Sequence, residues 1–267
     1  MRRLPVLDAV LFDAGGTLGR LDFEWMAACA RELGAALDAA TLRAAELEGR
    51  RWLDRSCGMR EGGATTVALP TPLAVTDPHP YFVGMLTAAG VPEGWVPRIV
   101  ERWWARQSDV GLWLCVNEGA PEALAGVRAL GLRRAVVSNS DGRAEQHTRD
   151  WGVRDELEFV IDSQLVGVAK PDPRIFELAL DRMRLTAERV LYVGDIRCGD
   201  EVGSRAAGLH FVLIDPDGTY VAPGGARIAC IADLPLWIEQ HFNVPVAGAS
   251  SAPPMTSRPI TPPTGGS

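Results

Sequence analysis

Three carboxylates and one ammonium group stand at the ends of separate short segments in this chain. Val6–Phe12 (VLDAVLF, with Asp8 near its start) runs into Asp13, then Ala14-Gly15-Gly16-Thr17-Leu18. Val190–Val193 (VLYV) runs into Gly194-Asp195, with Asp200 five residues further on. Lys170 sits in VGVAKPDPRIF, before a proline and a helix start, and it is the one lysine among 267 residues. All other basic side chains are arginine, as a GC-rich coding bias gives. A lysine kept under that bias marks a job arginine cannot do. A compact point charge on a flexible stem suits a phosphate-sized anion, whereas guanidinium is a rigid planar fork. A third apolar run, Ala135–Val137, ends in Ser138-Asn139. Asp13, Asp195 and Asp200 against Lys170 leave a local formal charge near −2. That excess asks for a divalent cation, and oxygen donors without clustered His or Cys point to Mg²⁺.

The elements that must hold these groups are legible in outline. From about Asp22 the pattern turns helical. FEWMAACARELGAAL and AATLRAAELEGRRWLDR carry apolar residues at i, i+3, i+4 spacing, with Gly34 and Asp38 between them. Residues 57–77 are rich in Gly, Pro and Thr and read as a long loop. Helical patterns return at Pro80–Ala89 and Glu93–Arg106. Strands and helices then alternate. PEALAGVRALG is a helix closed by Gly131, RRAVVSNS a strand, GRAEQHTRDWG a helix and LEFVIDS a strand. Asp172-Pro173 starts the helix RIFELALDRM. RVLYVGD, EVGSRAAGL and HFVLIDP complete the series. Such alternation specifies an α/β fold with a Rossmann-like parallel sheet, whose carboxyl edge gathers the strand-end residues.

These motifs, in this order, resemble those of the haloacid dehalogenase-like (HAD) hydrolase superfamily, a family populated mostly by phosphatases. The first is Asp13-Ala-Gly-Gly-Thr17, the second Ser138-Asn139, the third Lys170-Pro171, and the fourth Gly194-Asp195-x4-Asp200; the match covers residues 6 to about 218. The resemblance implies a core at 1–19 and 114–243, with an inserted four-helix cap at 20–113 and hinges near Gly19–Leu21 and Leu114–Gly119. It implies Asp13 as nucleophile, with Thr17, Ser138 and Lys170 holding the transferred group and Gly16 and Asn139 lining it. Asp13, the Gly15 carbonyl and Asp195 would bind Mg²⁺, with Asp200 supporting. The expected activity is a Mg²⁺-dependent phosphatase acting on a small phosphorylated metabolite through an aspartyl-phosphate.

One position departs from that pattern. HAD phosphatases usually carry a second Asp two residues after the nucleophile, to protonate the leaving oxygen and later activate water; this chain has Gly15. General acid–base help is worth about 10²–10⁴ in rate. The dehalogenase branch also lacks this acid, but it has an aromatic residue there and no Gly-Asp fourth motif. The phosphonoacetaldehyde hydrolase branch needs a cap lysine, and residues 20–113 contain none. Glu61, Asp77 and His79, in or beside the long loop, are candidate replacement acids. Two alternatives stay open: a metal-independent 2-haloacid dehalogenase-like hydrolase, and a catalytically weak protein that binds a phosphorylated ligand. Residues 20–113 also hold six of the eight tryptophans, and adjacent Trp103 and Trp104 cannot share a helix face, so one of them is a candidate pocket residue.

Bulk properties bound the partners. A net charge of −7 without a basic stripe argues against nucleic acid. Cys29, Cys57, Cys115, Cys198 and Cys230 are odd in number and show no CxxC pair, as expected of reduced thiols in a cytoplasmic protein. No signal peptide and no 18-residue apolar run is found, so a soluble monomer or homodimer off the membrane is expected. The tail 244–267, built of Pro, Ser, Thr and Gly, has too little apolar surface to fold and reads as disordered.

Overall fold

Side chains of successive strand residues point to opposite sheet faces, so a strand buried on both faces must be apolar throughout. AVLF and VLYVG meet that condition throughout, and RRAVVS and HFVLI meet it from Ala135 to Val137 and from Phe211 onward, in the computed structural model, which describes residues 4–59, 79–220 and 225–244. In chain order the strands are β1 (Ala9–Phe12), β2 (Gly19–Arg20), β3 (Cys115–Val116), β4 (Arg133–Ser138), β5 (Val160–Asp162), β6 (Val190–Gly194), β7 (His210–Ile214) and β8 (Arg227–Ile228). Six of them form one parallel sheet in the order β5-β4-β1-β6-β7-β8. Val10, Phe12, Val136, Leu191 and Val193 pack into one face's cluster, and Ala9, Leu11, Ala135, Val137 and Tyr192 into the other's. Phe12 pairs with Val136 on one side and Val193 on the other, so Asp13 emerges beside the ends of β4 and β6.

Ten helices accompany the strands among the described residues: α1 (Phe23–Glu32), α2 (Ala39–Ser56), α3 (Pro80–Ala88), α4 (Val96–Asp109), α5 (Ala120–Ala129), α6 (Ala144–Asp150), α7 (Ser163–Val166), α8 (Arg174–Met183), α9 (Val202–Ala206) and α10 (Leu234–His241). The first four follow β1 and precede β4. Asp22 and Asp38 cap α1 and α2 by accepting from the Trp25 and Thr41 amides. Together α1–α4 bury a cluster of their own around Met26, Phe82, Met85, Ile99 and Trp103. The connections into and out of this insertion run side by side as the antiparallel pair β2–β3, with Gly19 opposite Val116 and Arg20 opposite Cys115.

The structure shifts several boundaries. β1 begins at Ala9 rather than Val6, because Val6 only bridges Asn243 and the Asp8 carboxylate turns out to pair with Arg189. The pattern running to Leu37 breaks at Glu32, where the chain leaves the helix toward Gly34 at φ +102°. Residues 93–95 form a 3-10 turn, and α4 starts at Val96 with Pro97 in its first turn. Residues 197–201 form a wide π turn that leads into α9. The two-residue edge strand β8 had no signal of its own. All five cysteines are free thiols. No described helix is long and apolar enough to cross a membrane. Most of the 57–77 loop, with Glu61 and Asp77, lies outside the described residues, and so does the tail beyond residue 244.

Candidate active site

The end of β1 delivers Asp13 into the sheet edge, where its amide donates to the Val193 carbonyl at 2.9 Å. The chain then turns sharply: the Leu18 and Gly19 amides both donate to the Ala14 carbonyl. Gly16 sits in this turn at φ +81°, and a Cβ there would fall 2.1 Å from Asp195 Oδ2, so only glycine lets the loop lie against that carboxylate.

Lys170 reaches the same point from the loop before α8. Its Nζ donates to Asp13 Oδ1 at 2.5 Å, Asp200 Oδ1 at 2.7 Å and the Tyr192 hydroxyl at 2.9 Å. All three ammonium hydrogens are thus engaged in a buried setting. Burial works to discharge this amine, but Asp13 and Asp200 outweigh it and hold its pKa above the ordinary lysine value. Burial raises the Asp13 carboxyl to about 6, against the pull of Lys170. Asn139 clamps the Lys170 backbone from both sides, its carboxamide oxygen accepting from the amide at 2.7 Å and its nitrogen donating to the carbonyl at 2.8 Å. Read from the sequence as a substrate contact, Asn139 spends its side chain on this clamp.

Asp195 and Asp200 share a loop but not a task. Asp200 Oδ2 accepts from the Asp195 and Ile196 amides at 3.1 and 3.0 Å, while Oδ1 faces Lys170. Both its oxygens are occupied in shaping the loop and holding the lysine. Asp195 is buried with Oδ1 lacking a hydrogen-bond partner among the described residues. Burial drives the Asp195 pKa up, opposed chiefly by Arg50. One oxygen from each of Asp13, Asp195 and Asp200 lies within 4.8 Å of the others. Hard oxygen donors, an excess of negative charge and an unsatisfied carboxylate oxygen fit a divalent cation such as Mg²⁺. Thr17 and Ser138 are buried at the same edge, and Thr17 Oγ1 likewise has no partner among the described residues.

Three residues here escaped the sequence reading. Tyr192 looked like one more apolar strand residue, yet its hydroxyl donates to the Val137 carbonyl at 2.9 Å and accepts from Lys170. Arg50, on α2, brings its Nε to 3.2 Å from Asp195 Oδ2 and its Nη2 to 3.4 Å from Glu46 Oε1. Trp113 lays its indole over Gly15, where a Cβ would stand 3.0 Å from Cδ1 and 3.1 Å from Nε1. The paired tryptophans split as expected: Trp103 is fully buried and donates to the Met26 carbonyl, while Trp104 stacks on His79. Burial lowers the His79 pKa to about 4, so at neutral pH it is an uncharged imidazole and not an imidazolium acid.

Sheet, strand-end aspartate and lysine–carboxylate cluster together define a hydrolase built on a Rossmann-like fold. A family model for haloacid dehalogenase-like hydrolases matches residues 7–208, and the chain belongs to that family. It is 44% identical over 99 residues to haloacid dehalogenase-like hydrolase domain-containing protein 3 of Mus musculus, covering 37% of this chain and 39% of that one. It is 30% identical over 105 residues to the N-acetylmuramic acid 6-phosphate phosphatase of Pseudomonas aeruginosa, covering 38% and 46%. In both cases the match spans less than half of the relative's length. The fold superposes on the crystal structure of a HAD phosphatase from Thermococcus onnurineus with a TM-score of 0.53 at 20% identity, covering 89% of this chain and all of that one.

Proposed function

We propose that this hydrolase is a Mg²⁺-dependent phosphatase acting on small phosphate monoesters, with α1–α4 serving as its cap. The observation that carries the reading is the contact of Lys170 Nζ with both Asp13 and Asp200, beside an Asp195 oxygen that lacks a hydrogen-bond partner among the described residues. Asp13 would attack phosphorus, forming an aspartyl-phosphate as the ester oxygen departs, and water would then cleave the acyl phosphate. Lys170 orients Asp13 and offsets charge on the transferred group. Thr17 and Ser138 would hold the phosphoryl oxygens. Asp13, the Gly15 carbonyl and Asp195 would hold Mg²⁺, which when bound supplies further neutralisation of the phosphoryl charge. Asp200 and Asn139 act as positioning residues for Lys170 and the Asp195 loop. Relatives named as phosphatases support this reading.

A second reading rests on a different observation. The Trp113 ring stands against Gly15, where dehalogenases of this family carry an aromatic side chain, and that favours attack of Asp13 on carbon with loss of halide. One assay separates these. An aryl phosphate should turn over only with Mg²⁺, and Asp13→Asn should abolish that turnover while leaving the circular dichroism spectrum intact. Halide release from a 2-haloacid without metal would establish the second reading. Binding of phosphate esters without turnover of either substrate would make the chain a phospholigand-binding protein.

A further inference from the structure

Arg50 is the only described residue of α1–α4 shown paired with a carboxylate of the catalytic edge. It is buried, as is Asp195. The Nε–Oδ2 separation of 3.2 Å is that of an ion pair, yet among the described residues Arg50 Nε makes no aligned hydrogen bond and Asp195 Oδ1 has no hydrogen-bond partner. A buried arginine–carboxylate pair ordinarily locks into parallel, aimed hydrogen bonds. This one is charge against charge without that lock. Arg50 also has a second carboxylate, Glu46 one turn earlier on α2, which accepts from the Tyr81 hydroxyl at 2.8 Å. Arg50 can therefore leave Asp195 without being stranded as an unpaired buried charge.

We propose that Arg50 is an internal counter-cation for Asp195, which competes with the divalent ion and moves onto Glu46 when that ion binds. The inference rests on the reading of Asp195 as a metal ligand. Before metal arrives, the guanidinium offsets a carboxylate that the fold has taken out of water. A divalent ion at the same carboxylate repels the guanidinium, so ion binding and the Arg50–Asp195 contact exclude one another. Since Arg50 belongs to α2, occupation of the metal site loosens one tie between the inserted helices and the sheet. By reciprocity, whatever draws Arg50 away from Asp195 tightens metal binding by the same factor.

The test is Mn²⁺ binding to the full chain, followed by electron paramagnetic resonance and by calorimetry with Mg²⁺. Arg50→Gln should bind either ion about tenfold more tightly than wild type. Glu46→Gln, which strands Arg50 on Asp195, should bind more weakly by a similar factor. A purely structural Arg50 would give unchanged or weaker binding in Arg50→Gln, and that result overturns the proposal. Asp195→Asn should lose the ion; if it binds like wild type, the metal-site reading beneath the proposal fails instead. The wild-type chain gives an arm that needs no variant. Saturating Mg²⁺ should speed amide hydrogen exchange along α2, and unchanged or slower exchange there would sink the idea even if Arg50→Gln did not fold.

Discussion

At the scale of single residues, Lys170 shows why charge alone does not specify a side chain. Its three donors fan out to Asp13, Asp200 and Tyr192 from one small nitrogen. A guanidinium spreads its donors in a plane and needs more room than this buried point allows. Lys170→Arg should therefore cost about 2 kcal/mol or more of transition-state stabilisation, of the order of a charged hydrogen bond. Steady-state kinetics on an aryl phosphate reads this directly, and an arginine variant with unaltered kcat/KM would leave Lys170 without a special role. Gly15 poses the opposite question. Its φ is not in the left-handed region, so a side chain is limited by the Trp113 indole and not by the backbone. Gly15→Asp should flatten the dependence of rate on leaving group and raise alkyl phosphate turnover by up to ~10²-fold, provided the indole yields. Gly15→Asp combined with Trp113→Phe supplies the room. An unchanged substrate profile in both variants would place the acid elsewhere. Asp13, Lys170, Asp195 and Asp200 were legible because each sits in a local pattern of strand end or helix start. Arg50, Tyr192 and Trp113 were not, because their roles arise from contacts between segments far apart in the chain.

At the scale of elements, capping and periodicity marked most helices, and tertiary contacts set their ends. Asp22 illustrates both, since it caps α1 and also pairs with Arg106 of α4 at 3.1 Å. The short strands β2, β3 and β8 carried no readable pattern, two residues being too few for alternation to show. His79, at the start of α3, packs its ring on Trp104 and Phe82. Burial lowers its pKa from 6.5 to about 4. Between those values the unfolded chain binds a proton that the folded chain refuses. Its contribution to stability is therefore complete above pH 6.5 and is lost as pH falls toward 4. His79→Gln should flatten the fall of melting temperature over that window; a variant whose profile runs parallel to wild type would show that other groups cause it.

At the scale of the whole molecule, βα alternation was enough to foresee a parallel sheet, because a right-handed crossover leaves few other ways to cover both faces. The six-stranded order β5-β4-β1-β6-β7-β8, parallel throughout, agrees with that reading. The way α2 comes to rest on the Asp195 loop had no local signal, since it depends on the joint packing of four helices and on Cys198, whose side chain joins their cluster. A different consequence follows from the buried Lys170, which is 4% exposed and the chain's sole lysine. Reagents that acylate amines, such as N-hydroxysuccinimide esters, therefore meet no exposed lysine side chain on the folded chain. Mass spectrometry should find Lys170 acylated only after denaturation. Native acylation of Lys170 at the denatured rate would contradict its burial. A tag on Lys170 thus reports, molecule by molecule, that the catalytic edge has come apart.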